Sequence, residues 1–577
     1  MSGADAEQGA EAAATRRLGD ALSDPAAWTA LGPEARAEPG TIRILRTHGA
    51  VLGFAGSRVL KVKRPVDLGF FDFRDPERRR HFCCEEVRLN RRLAGPIYLG
   101  VSPIIEDAAG RLRAGEPREP EASRPTGAAC DGGTVVDHAV AMVRLPDAGM
   151  LSARLAAGTL RDVDIDRIAR RIARFHAEAR RGPAVDRLAD PRRVRREFLE
   201  NADQLAERLV GSSAAVRRAA AACPPARVAR VRAWLDRTLA AMTPVLEARI
   251  AAGRACEGHG DLHGGNICLL GDREQDVVAF DCIEFEEAFR CGDPARELGF
   301  LAMDLEARDA PEAADALLRS YAEAADDPDL PDLVAPFLVH YALVRAKVDA
   351  ITAADHEHDA DPSRRDRCLA DLERYGEIAA IHTLGPVVVL MCGLPGTGKS
   401  RLAATIAARL RARWIRSDVE RKRLHGIEPT DRTPESRRAE VYGPAATRRT
   451  YAELARQATS AVGRGGSVVL DATYARRADR AEVIAAVTAA GGRWILVHAD
   501  PPASVVREWL EQRAGESGVV SDADQAVHEQ ARSVFEPPTE LDSSRVVHLT
   551  DPRRQGPRVA GRLIERLEAA ADGRSSV

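Results

Sequence analysis

The stretch from Val387 to Ser400 limits the possible fold most narrowly. It begins with a continuous apolar run, Val387 to Cys392, which is typical of a buried parallel strand. The run is followed at once by the pattern G-x-x-x-x-G-K-S, which consists of Gly393, Leu394, Pro395, Gly396, Thr397, Gly398, Lys399 and Ser400. An amphipathic helical pattern then continues to Leu410. This order of strand, loop and helix predicts an α/β domain with a phosphate-binding loop.

The residue types in this loop fit a nucleoside triphosphate. The three glycines and Thr397 let backbone N–H groups surround phosphates at the N-terminus of a helix. Lys399 is expected to reach the β- and γ-phosphates, and Ser400 is expected to bind Mg²⁺. We therefore predict that ATP and Mg²⁺ bind here.

Lysine is rare in this chain, which makes its positions informative. The 84 basic residues include five lysines, which are Lys61, Lys63, Lys347, Lys399 and Lys422. A compact ammonium and a planar guanidinium are not equivalent at phosphate sites. A tight glycine-rich turn without a ligand would not require the rare Lys399, so its presence favours a phosphate site.

Two further strand patterns in the same region end in acids. Arg413 to Arg416 leads to Asp418, and Ser467 to Leu470 leads to Asp471. Ligands lie beyond the carboxyl ends of strands in a parallel α/β sheet, so both acids should face the phosphate loop. One acid should serve the acceptor hydroxyl as a base, and the other should join the Mg²⁺ shell.

A later helical pattern carries Arg507 and Arg513. These arginines could close on the transferred phosphoryl group. Arginine is common on the surface of this chain, so ordinary solvated side chains explain the pair equally well.

A second region with chemical side chains extends from Glu257 to Glu287. It places His259, Asp261 and Asn266 in the order H-x-D-x-x-x-x-N, and Asp281 ends the next apolar run. A phosphoryl-transfer site needs an acid to accept the proton of the attacking hydroxyl, and further oxygen ligands for metal ions. A polar turn between two strands is the alternative. The agreement of four chemical positions with the strand pattern favours the catalytic interpretation.

A hairpin near the N-terminus offers a cation for the same site. Lys61 and Lys63 lie on its second predicted strand, on one face because strand side chains alternate. The predicted helix that follows, Pro76 to Leu93, carries Glu85 and Glu86. A kinase small lobe pairs one such lysine with a glutamate on the following helix. We favour Lys61 with Glu86, while the other combinations of these residues stay open.

Bulk properties bound the class of protein. A chain of 577 residues predicts two or three domains. The net charge of -3 gives no overall basic field, so nucleic acid is not an expected partner. There is no long apolar segment and no signal-peptide pattern, which predicts a cytoplasmic protein without a membrane span. The ten cysteines form no C-x-x-C pair and are expected to be reduced and structural.

Residues 40–350 resemble the aminoglycoside phosphotransferase family of kinase-like enzymes. The resemblance is carried by the segments HGDLHGGN, FDCIEF and GDPARELGF. It implies that Asp261 is the catalytic base and that Asn266 and Asp281 bind Mg²⁺. The chain departs from the eukaryotic-kinase phosphate cover, because Gly49, Gly53 and Gly56 in a short hairpin replace G-x-G-x-x-G. Related enzymes phosphorylate small hydroxyl compounds.

Residues 386–550 resemble small P-loop kinases grouped with zeta toxins, polynucleotide kinase and gluconate kinase. The matching segments are GLPGTGKS, IRSDVERKRL and VVLDATYARRADR. The resemblance implies that Asp418 is the general base and that Arg421 and Arg480 lie near the acceptor or lid. The whole chain looks like a bacterial fusion of these two kinase types.

The predicted organisation has two folded domains of unrelated fold. We expect a disordered tail at 1–35, a protein-kinase-like α+β bilobal domain at 36–350, a linker at 351–385, and an α/β P-loop domain with a parallel sheet at 386–577. The leading hypothesis is a kinase in which each half phosphorylates a small-molecule hydroxyl. The alternatives are a nucleotide-gated regulatory protein, and nucleic-acid end phosphorylation by the C-terminal half, which the basic run Arg421, Lys422 and Arg423 permits.

Overall fold

The structure is a computed structural model, and it describes residues 3–36, 38, 40–67, 72–357, 361–431, 433–513, 525–556 and 559–571. The chain divides into two compact units. Unit 1 contains Met1–Asn201 and Leu235–Ala342, and unit 2 contains Ala202–Trp234 and Leu343–Val577. None of the helices in the described residues has both the length and the apolar character needed to cross a bilayer.

The strands of unit 1 are β1 Arg43–Arg46, β2 Ala50–Ala55, β3 Arg58–Lys63, β4 Tyr98–Asp107, β5 Leu112–Ala114, β6 Ala129–Cys130, β7 Gly133–Val143, β8 Cys256–Glu257, β9 Ile267–Leu269, β10 Val277–Ala279 and β11 Cys291–Gly292. The strands of unit 2 are β12 Val387–Cys392, β13 Arg413–Arg416, β14 Val468–Asp471, β15 Arg493–Ala499 and β16 Val546–Leu549.

The first helices along the chain are α1 Gly3–Leu22, α2 Pro76–Ala94, α3 Leu151–Ala156, α4 Asp162–Glu178, α5 Pro183–Leu188, α6 Pro191–Arg208, α7 Ala214–Ala222, α8 Pro225–Ala251, α9 Glu287–Arg290, α10 Pro294–Ala307, α11 Pro311–Ala324 and α12 Leu330–Asp355. The remaining helices are α13 Ser363–Leu384, α14 Lys399–Arg409, α15 Ser417–Leu424, α16 Arg438–Tyr442, α17 Pro444–Gly463, α18 Arg477–Ala489, α19 Ala503–Arg513, α20 Gln525–Ser533, α21 Pro552–Gln555 and α22 Val559–Ala571.

Unit 1 contains an antiparallel sheet whose central order is β1-β2-β3-β7-β4-β5. The predicted hairpin is present, since β2 and β3 pair antiparallel with Ala50 opposite Lys63. Residues of β3 alternate between two apolar cores: Leu60 and Val62 pack on one face, whereas Val59 packs with Val87 of α2 on the other. Lys61 and Lys63 therefore point towards α2, as the period of a strand predicts.

The N-terminal residues correct the prediction of a disordered tail at 1–35. Gly3–Leu22 forms α1, and Leu22 and Trp28 are buried against the sheet face that carries Leu60. The indole N–H of Trp28 donates to the Leu22 carbonyl at 2.9 Å. The composition of the first twenty residues is polar and Ala-rich, but a few spaced apolar side chains suffice to cover a sheet face that would otherwise meet water.

Unit 2 contains the predicted parallel sheet, in the order β13-β14-β12-β15-β16. All four strand pairs are parallel. β12 is central, and its side chains alternate between two apolar cores, with Val389 and Met391 in one and Val388 and Leu390 in the other. Burial on both faces explains the continuous apolar run in the sequence. The two domain folds confirm the predicted fold class.

The segment at 351–385 is not the linker that the sequence predicted. α12 continues to Asp355, and α13 occupies Ser363–Leu384. Ala380 and Leu384 of α13 enter the apolar core beside β12. Residues 202–234, expected within the first domain, also group with unit 2. Polar residues of the exposed face of α13 dominate its composition, which is why the segment reads as a linker in the sequence.

Candidate active sites

The candidate catalytic segment of unit 1 is a loop between short strands. Asp261 lies between β8 and β9, Asn266 directly precedes β9, and Asp281 follows β10. β9 and β10 pair antiparallel with Ile267 opposite Ala279, so their ends bring Asn266 and Asp281 to the same side. The Asn266 amide donates to the Asp261 carboxylate at 2.9 Å. The structure thus brings together the three residues that the motif singles out.

Asp281 has an unusual backbone conformation. Its φ of 65° lies in the left-handed region, which aspartate tolerates better than most residues. Its backbone N–H donates to the Tyr98 hydroxyl at 3.2 Å, and its carboxylate lies 2.5 Å from the Lys61 ammonium. Backbone strain at such a position is typical of functional sites.

Lys61 begins a chain of alternating charges beneath the cleft. Its ammonium lies 2.8 Å from one oxygen of Glu86, and the Lys63 ammonium lies 2.7 Å from the other oxygen. Lys63 also pairs with Glu284. The side chain of Glu86 is fully buried and that of Lys63 is 2% exposed, so these charges depend on one another rather than on water.

The pKa values follow from this alternation. Burial alone would raise the pKa of Glu86, but Lys61 and Lys63 outweigh it and hold that pKa below its usual value. Burial alone would lower the pKa of Lys61, yet Asp281 and Glu86 raise it well above its usual value. Glu284 differs, because burial prevails over Lys63 and its pKa is raised. Burial alone would raise the pKa of Asp281, but Lys61 lowers it below its usual value. Lys61, Glu86 and Asp281 are therefore all charged at neutral pH.

Of the residues that the sequence left open, the structure distinguishes between the two glutamates, whereas both lysines contact the same one. Glu85 faces away from both lysines and pairs with Arg88 at 2.7 Å. Glu86 contacts both Lys61 and Lys63. Sequence reasoning did not single out Glu284, although its position three residues after Asp281 in FDCIEF was a usable signal.

Hydrogen bonds to α10 hold the candidate catalytic loop. Glu297 accepts the backbone N–H groups of His259 and Gly260, the latter at 2.5 Å, and also contacts His176 at 2.8 Å. Burial would raise the pKa of Glu297, but the bond with His176 and the charges around it lower that pKa to about 2. Asp304 accepts the N–H of Gly264 at 2.8 Å. Two carboxylates of one helix thus fix both ends of the loop, a role that the sequence did not reveal.

A cavity of about 710 Å³ opens over these groups. Lys61, Asp261 and Asp281 lie on its wall, and Leu52 and Met142 give it an apolar side. This combination of an apolar wall with a few converging charged groups is typical of a site for a small ligand.

The phosphate-binding loop of unit 2 connects β12 to α14. Gly393, Gly396 and Gly398 have φ of 136°, 85° and 84°, which other residues rarely adopt. A Cβ atom on Gly393 would lie 2.3 Å from the Ala499 carbonyl oxygen. Lys399 donates to the Leu394 carbonyl at 2.7 Å. The loop therefore has the close-fitting backbone that the motif predicts.

The two predicted acids lie at neighbouring strand ends beside this loop. β13 and β14 pair in parallel with Arg416 opposite Asp471, and Asp418 lies in the first turn of α15. Burial raises the pKa of Asp471, while Lys399 and a hydrogen bond with Ser400 oppose the shift. The Trp414 indole N–H also donates to Asp471 at 3.3 Å. Asp471 and Ser400 are thus adjacent, as a shared role requires.

The predicted arginines have different surroundings. Arg507 is exposed on α19, and the side chain of Arg513 lies outside the described residues. Arg480 is fully buried; it pairs with Glu540 at 2.7 Å and donates to the carbonyls of Tyr474 and Glu536. These contacts give Arg480 a structural position rather than one on a lid.

The basic run Arg421, Lys422 and Arg423 is not a basic surface. Arg421 and Lys422 are 7% and 1% exposed, and Lys422 donates to the carbonyls of Pro429 and Asp431. Arg423 pairs with Glu420 at 3.1 Å. This segment therefore offers little charge to a phosphate backbone.

Both sites contain oxygen atoms suited to Mg²⁺, which prefers carboxylate, hydroxyl and carbonyl oxygens. In unit 1 the Asp281 carboxylate and the amide oxygen of Asn266 lie at adjacent strand ends. In unit 2 the hydrogen-bonded pair of Asp471 and Ser400 lies at the start of α14. The residues present therefore fit the ion at both places.

Comparisons with known proteins agree with this division. A model of the phosphotransferase enzyme family matches residues 112–334, which include Asp261, Asn266 and Asp281. A model of the AAA domain matches residues 388–538, which include Lys399 and Asp471.

Uncharacterized proteins from Mycobacterium tuberculosis and Mycobacterium bovis are each 30% identical to this chain over 438 residues, which is 75% of this chain and 78% of the relative. A solved choline/ethanolamine kinase family protein from Mesorhizobium loti is 14% identical, with a TM-score of 0.32, over 63% of this chain and 99% of that chain. A gluconokinase from Sinorhizobium meliloti 1021 is 18% identical, with a TM-score of 0.23, over 33% of this chain and 95% of that chain.

The chain therefore belongs to the family of these mycobacterial proteins, and it is a phosphotransferase that joins a domain of the phosphotransferase enzyme family to a P-loop kinase domain.

Proposed function

We propose that this protein is an ATP- and Mg²⁺-dependent kinase with two separate nucleotide sites. Each unit transfers the γ-phosphoryl group of ATP to a hydroxyl of a small-molecule acceptor. The observation that carries the proposal is the convergence of Lys61, Asp261 and Asp281 on one cavity in unit 1. Lys399, Ser400 and Asp471 provide the corresponding groups in unit 2.

In unit 1, Asp261 orients the acceptor hydroxyl and takes its proton as the oxygen attacks the γ-phosphorus. The bond between that phosphorus and the bridging oxygen breaks, and ADP leaves. Lys61, held by Glu86, faces the phosphates. Asn266 and Asp281 would hold Mg²⁺, which neutralises charge on the phosphates when bound. Positioning and electrostatics account for most of the catalysis in such reactions.

In unit 2, the backbone N–H groups of the loop surround the phosphates, with Lys399 at their β/γ end. Ser400 and Asp471 would hold Mg²⁺. Asp418 follows β13, which is the neighbour of the strand that ends in Asp471. An acceptor hydroxyl could reach Asp418 there, and we assign it the role of base. Exposed Arg507 on α19 is available to contact the transferred group.

A small-molecule acceptor fits unit 2 better than a nucleic acid. The burial of Arg421 and Lys422 removes the basic run that the nucleic-acid alternative relied on. Affinity for nucleic acid depends on several cations that contact phosphates from the surface. The cavity of unit 1, at about 710 Å³, is likewise of a size that suits a nucleotide and a small acceptor.

The test is ADP release by the purified full-length protein, with and without pooled small alcohols, sugars and aminoglycosides. Asp261→Asn should abolish acceptor-stimulated turnover that belongs to unit 1 and leave ATP binding nearly unchanged. Lys399→Ala should abolish turnover that belongs to unit 2. Lys347→Ala is the matched control, because Lys347 contacts Gln204 and lies outside both sites.

Each outcome has a definite meaning. Stimulated turnover lost in one variant alone assigns that acceptor to one unit. Equal activity of wild type and Asp261→Asn would refute the assignment of the base. If Lys399→Ala silenced both activities, the two sites would not be independent. Tight ATP binding without stimulated turnover by any pool would favour a nucleotide-gated regulatory protein.

A further inference from the structure

Two histidines and an aspartate meet at the carboxyl ends of β15 and β16. His498 of β15 lies directly opposite His548 of β16 in the parallel register. Their side chains share one face of the sheet, and Asp500 follows two residues after His498. The Nε2 atom of His548 lies 3.2 Å from the Asp500 carboxylate.

The backbone fixes the arrangement of these residues. The N–H of Asp500 donates to the Leu549 carbonyl of β16 at 2.8 Å, which extends the ladder beyond the end of β15. The rings of His498 and His548 have centroids 5.0 Å apart, and Phe535 stacks on the His498 ring at 5.7 Å. One ligand atom from each of the three polar residues lies within 4.8 Å of the others.

The ring nitrogens of His498 are available to a ligand. This residue is 7% exposed, and within the part of the chain that the structure describes neither of its ring nitrogens has a hydrogen-bond partner. An imidazole nitrogen that makes no hydrogen bond within the protein keeps its lone pair available to a cation.

From this geometry we propose that His498, Asp500 and His548 form a binding site for a divalent transition-metal cation such as Zn²⁺. Two imidazoles with one carboxylate favour transition metals over Mg²⁺, which selects oxygen ligands. His548 and Asp500 are 50% and 59% exposed, so their side chains can rotate to bring the ligand atoms to bonding distance. Three protein ligands leave positions for water.

The site is separate from the nucleotide site but adjacent to it. Ala499, between His498 and Asp500, has the carbonyl oxygen that approaches Gly393. Arg480 and Lys399 act electrostatically on His498, but the charge of Arg480 is balanced by Glu540. A metal here would join the edge strand β16 to β15 beside the phosphate-binding loop, and so stabilise unit 2.

The test uses full-length protein freed of metal with a chelator and titrated with Zn²⁺ in excess Mg²⁺, followed by calorimetry and thermal unfolding. The variants are His548→Gln and Asp500→Asn, whose exposed side chains can change without disturbing the core. His81→Gln, an exposed histidine of unit 1, is the control. The ten cysteines are the same in every variant, so a difference in Zn²⁺ affinity between variants reports on the proposed site and not on the cysteines.

We expect Zn²⁺ to bind wild type and His81→Gln alike and to raise their unfolding temperature. Loss of an outer partner of a metal ligand typically weakens binding by about 10–100-fold, so loss of a ligand should weaken it by at least ~10-fold in each variant. Absence of saturable Zn²⁺ binding in wild type would overturn the proposal. Unchanged affinity in either His548→Gln or Asp500→Asn would overturn it as well.

Discussion

Replacing Glu86 with glutamine tests the chain of alternating charges in unit 1. The change keeps the shape of the side chain but removes the charge that Lys61 and Lys63 share. At separations of 2.8 and 2.7 Å and an effective dielectric constant of about 20, each ammonium–carboxylate attraction is roughly 6 kcal/mol before opposing terms. Desolvation and the repulsion between like charges offset most of this gross attraction.

The net effect should be a loss of about 3 kcal/mol in the free energy of unfolding of unit 1. Removing one partner of a buried pair costs about 3–5 kcal/mol. The lower end applies because Lys61 retains Asp281 and Lys63 retains Glu284. Glu85→Gln is the matched control, since Glu85 pairs with Arg88 near the surface and such pairs contribute about 0–1 kcal/mol.

The local free energy of unfolding can be measured by hydrogen exchange with mass spectrometry at increasing urea concentrations. The peptides to follow come from β3 and α2. The urea concentration at which these peptides lose half of their protection should be lower in Glu86→Gln by about 1 M or more. This follows because the free energy of unfolding falls by roughly 1–3 kcal/mol per molar urea. A fall no larger than that of Glu85→Gln would refute the reasoning.

The pH dependence provides a second check on Glu86. Its folded pKa is lowered, so its carboxylate stabilises the fold above the unfolded pKa of about 4.3, and that contribution is lost as pH falls through the folded pKa. The difference in the free energy of unfolding between wild type and Glu86→Gln should therefore be largest at neutral pH and should decrease in acid. A constant difference down to the acid transition would contradict the assignment.

Three further predictions concern other parts of the chain. Gly393→Ala should abolish ATP binding by unit 2, measured by calorimetry, because its Cβ atom would lie 2.3 Å from the Ala499 oxygen; unchanged affinity would contradict the close approach. Glu297→Gln should lower kcat of unit 1 more than it raises KM for ATP, because the His259 amide loses a charged acceptor; a change in KM alone would refute this positioning role. Arg480→Met should lower the free energy of unfolding of unit 2 by about 3 kcal/mol, measured by denaturation, and activity lost without that destabilisation would instead indicate a role on a lid.

Local motifs were readable from the sequence because their chemistry lies in contiguous residues. The loop from Gly393 to Ser400 needs its glycines, lysine and serine at fixed spacing, and the flanking strand and helix have their own periodicity. Asp261 and Asn266 were found for the same reason. The strand ends at Asp471 and Asp418 followed from the geometry of parallel sheets.

Segments of mixed composition were harder to interpret. The segments of α1 and α13 were expected to be a tail and a linker, because polar residues and alanine dominate their composition. Whether the few apolar residues of such a segment are buried depends on a partner surface elsewhere in the chain. Trp28 and Leu384 are buried only because a sheet and its core lie beside them.

The sequence by itself determined the two kinase folds, the phosphate-binding loop and the acids that face it. The tertiary structure decided which polar side chains meet: Glu86 rather than Glu85 with the lysines, Glu284 with Lys63, Glu297 behind the candidate catalytic loop, and His498 with His548. These contacts join residues far apart in the chain. Their partners are set by strand register and by the burial that makes an unpaired charge costly, and neither quantity is a property of a local pattern.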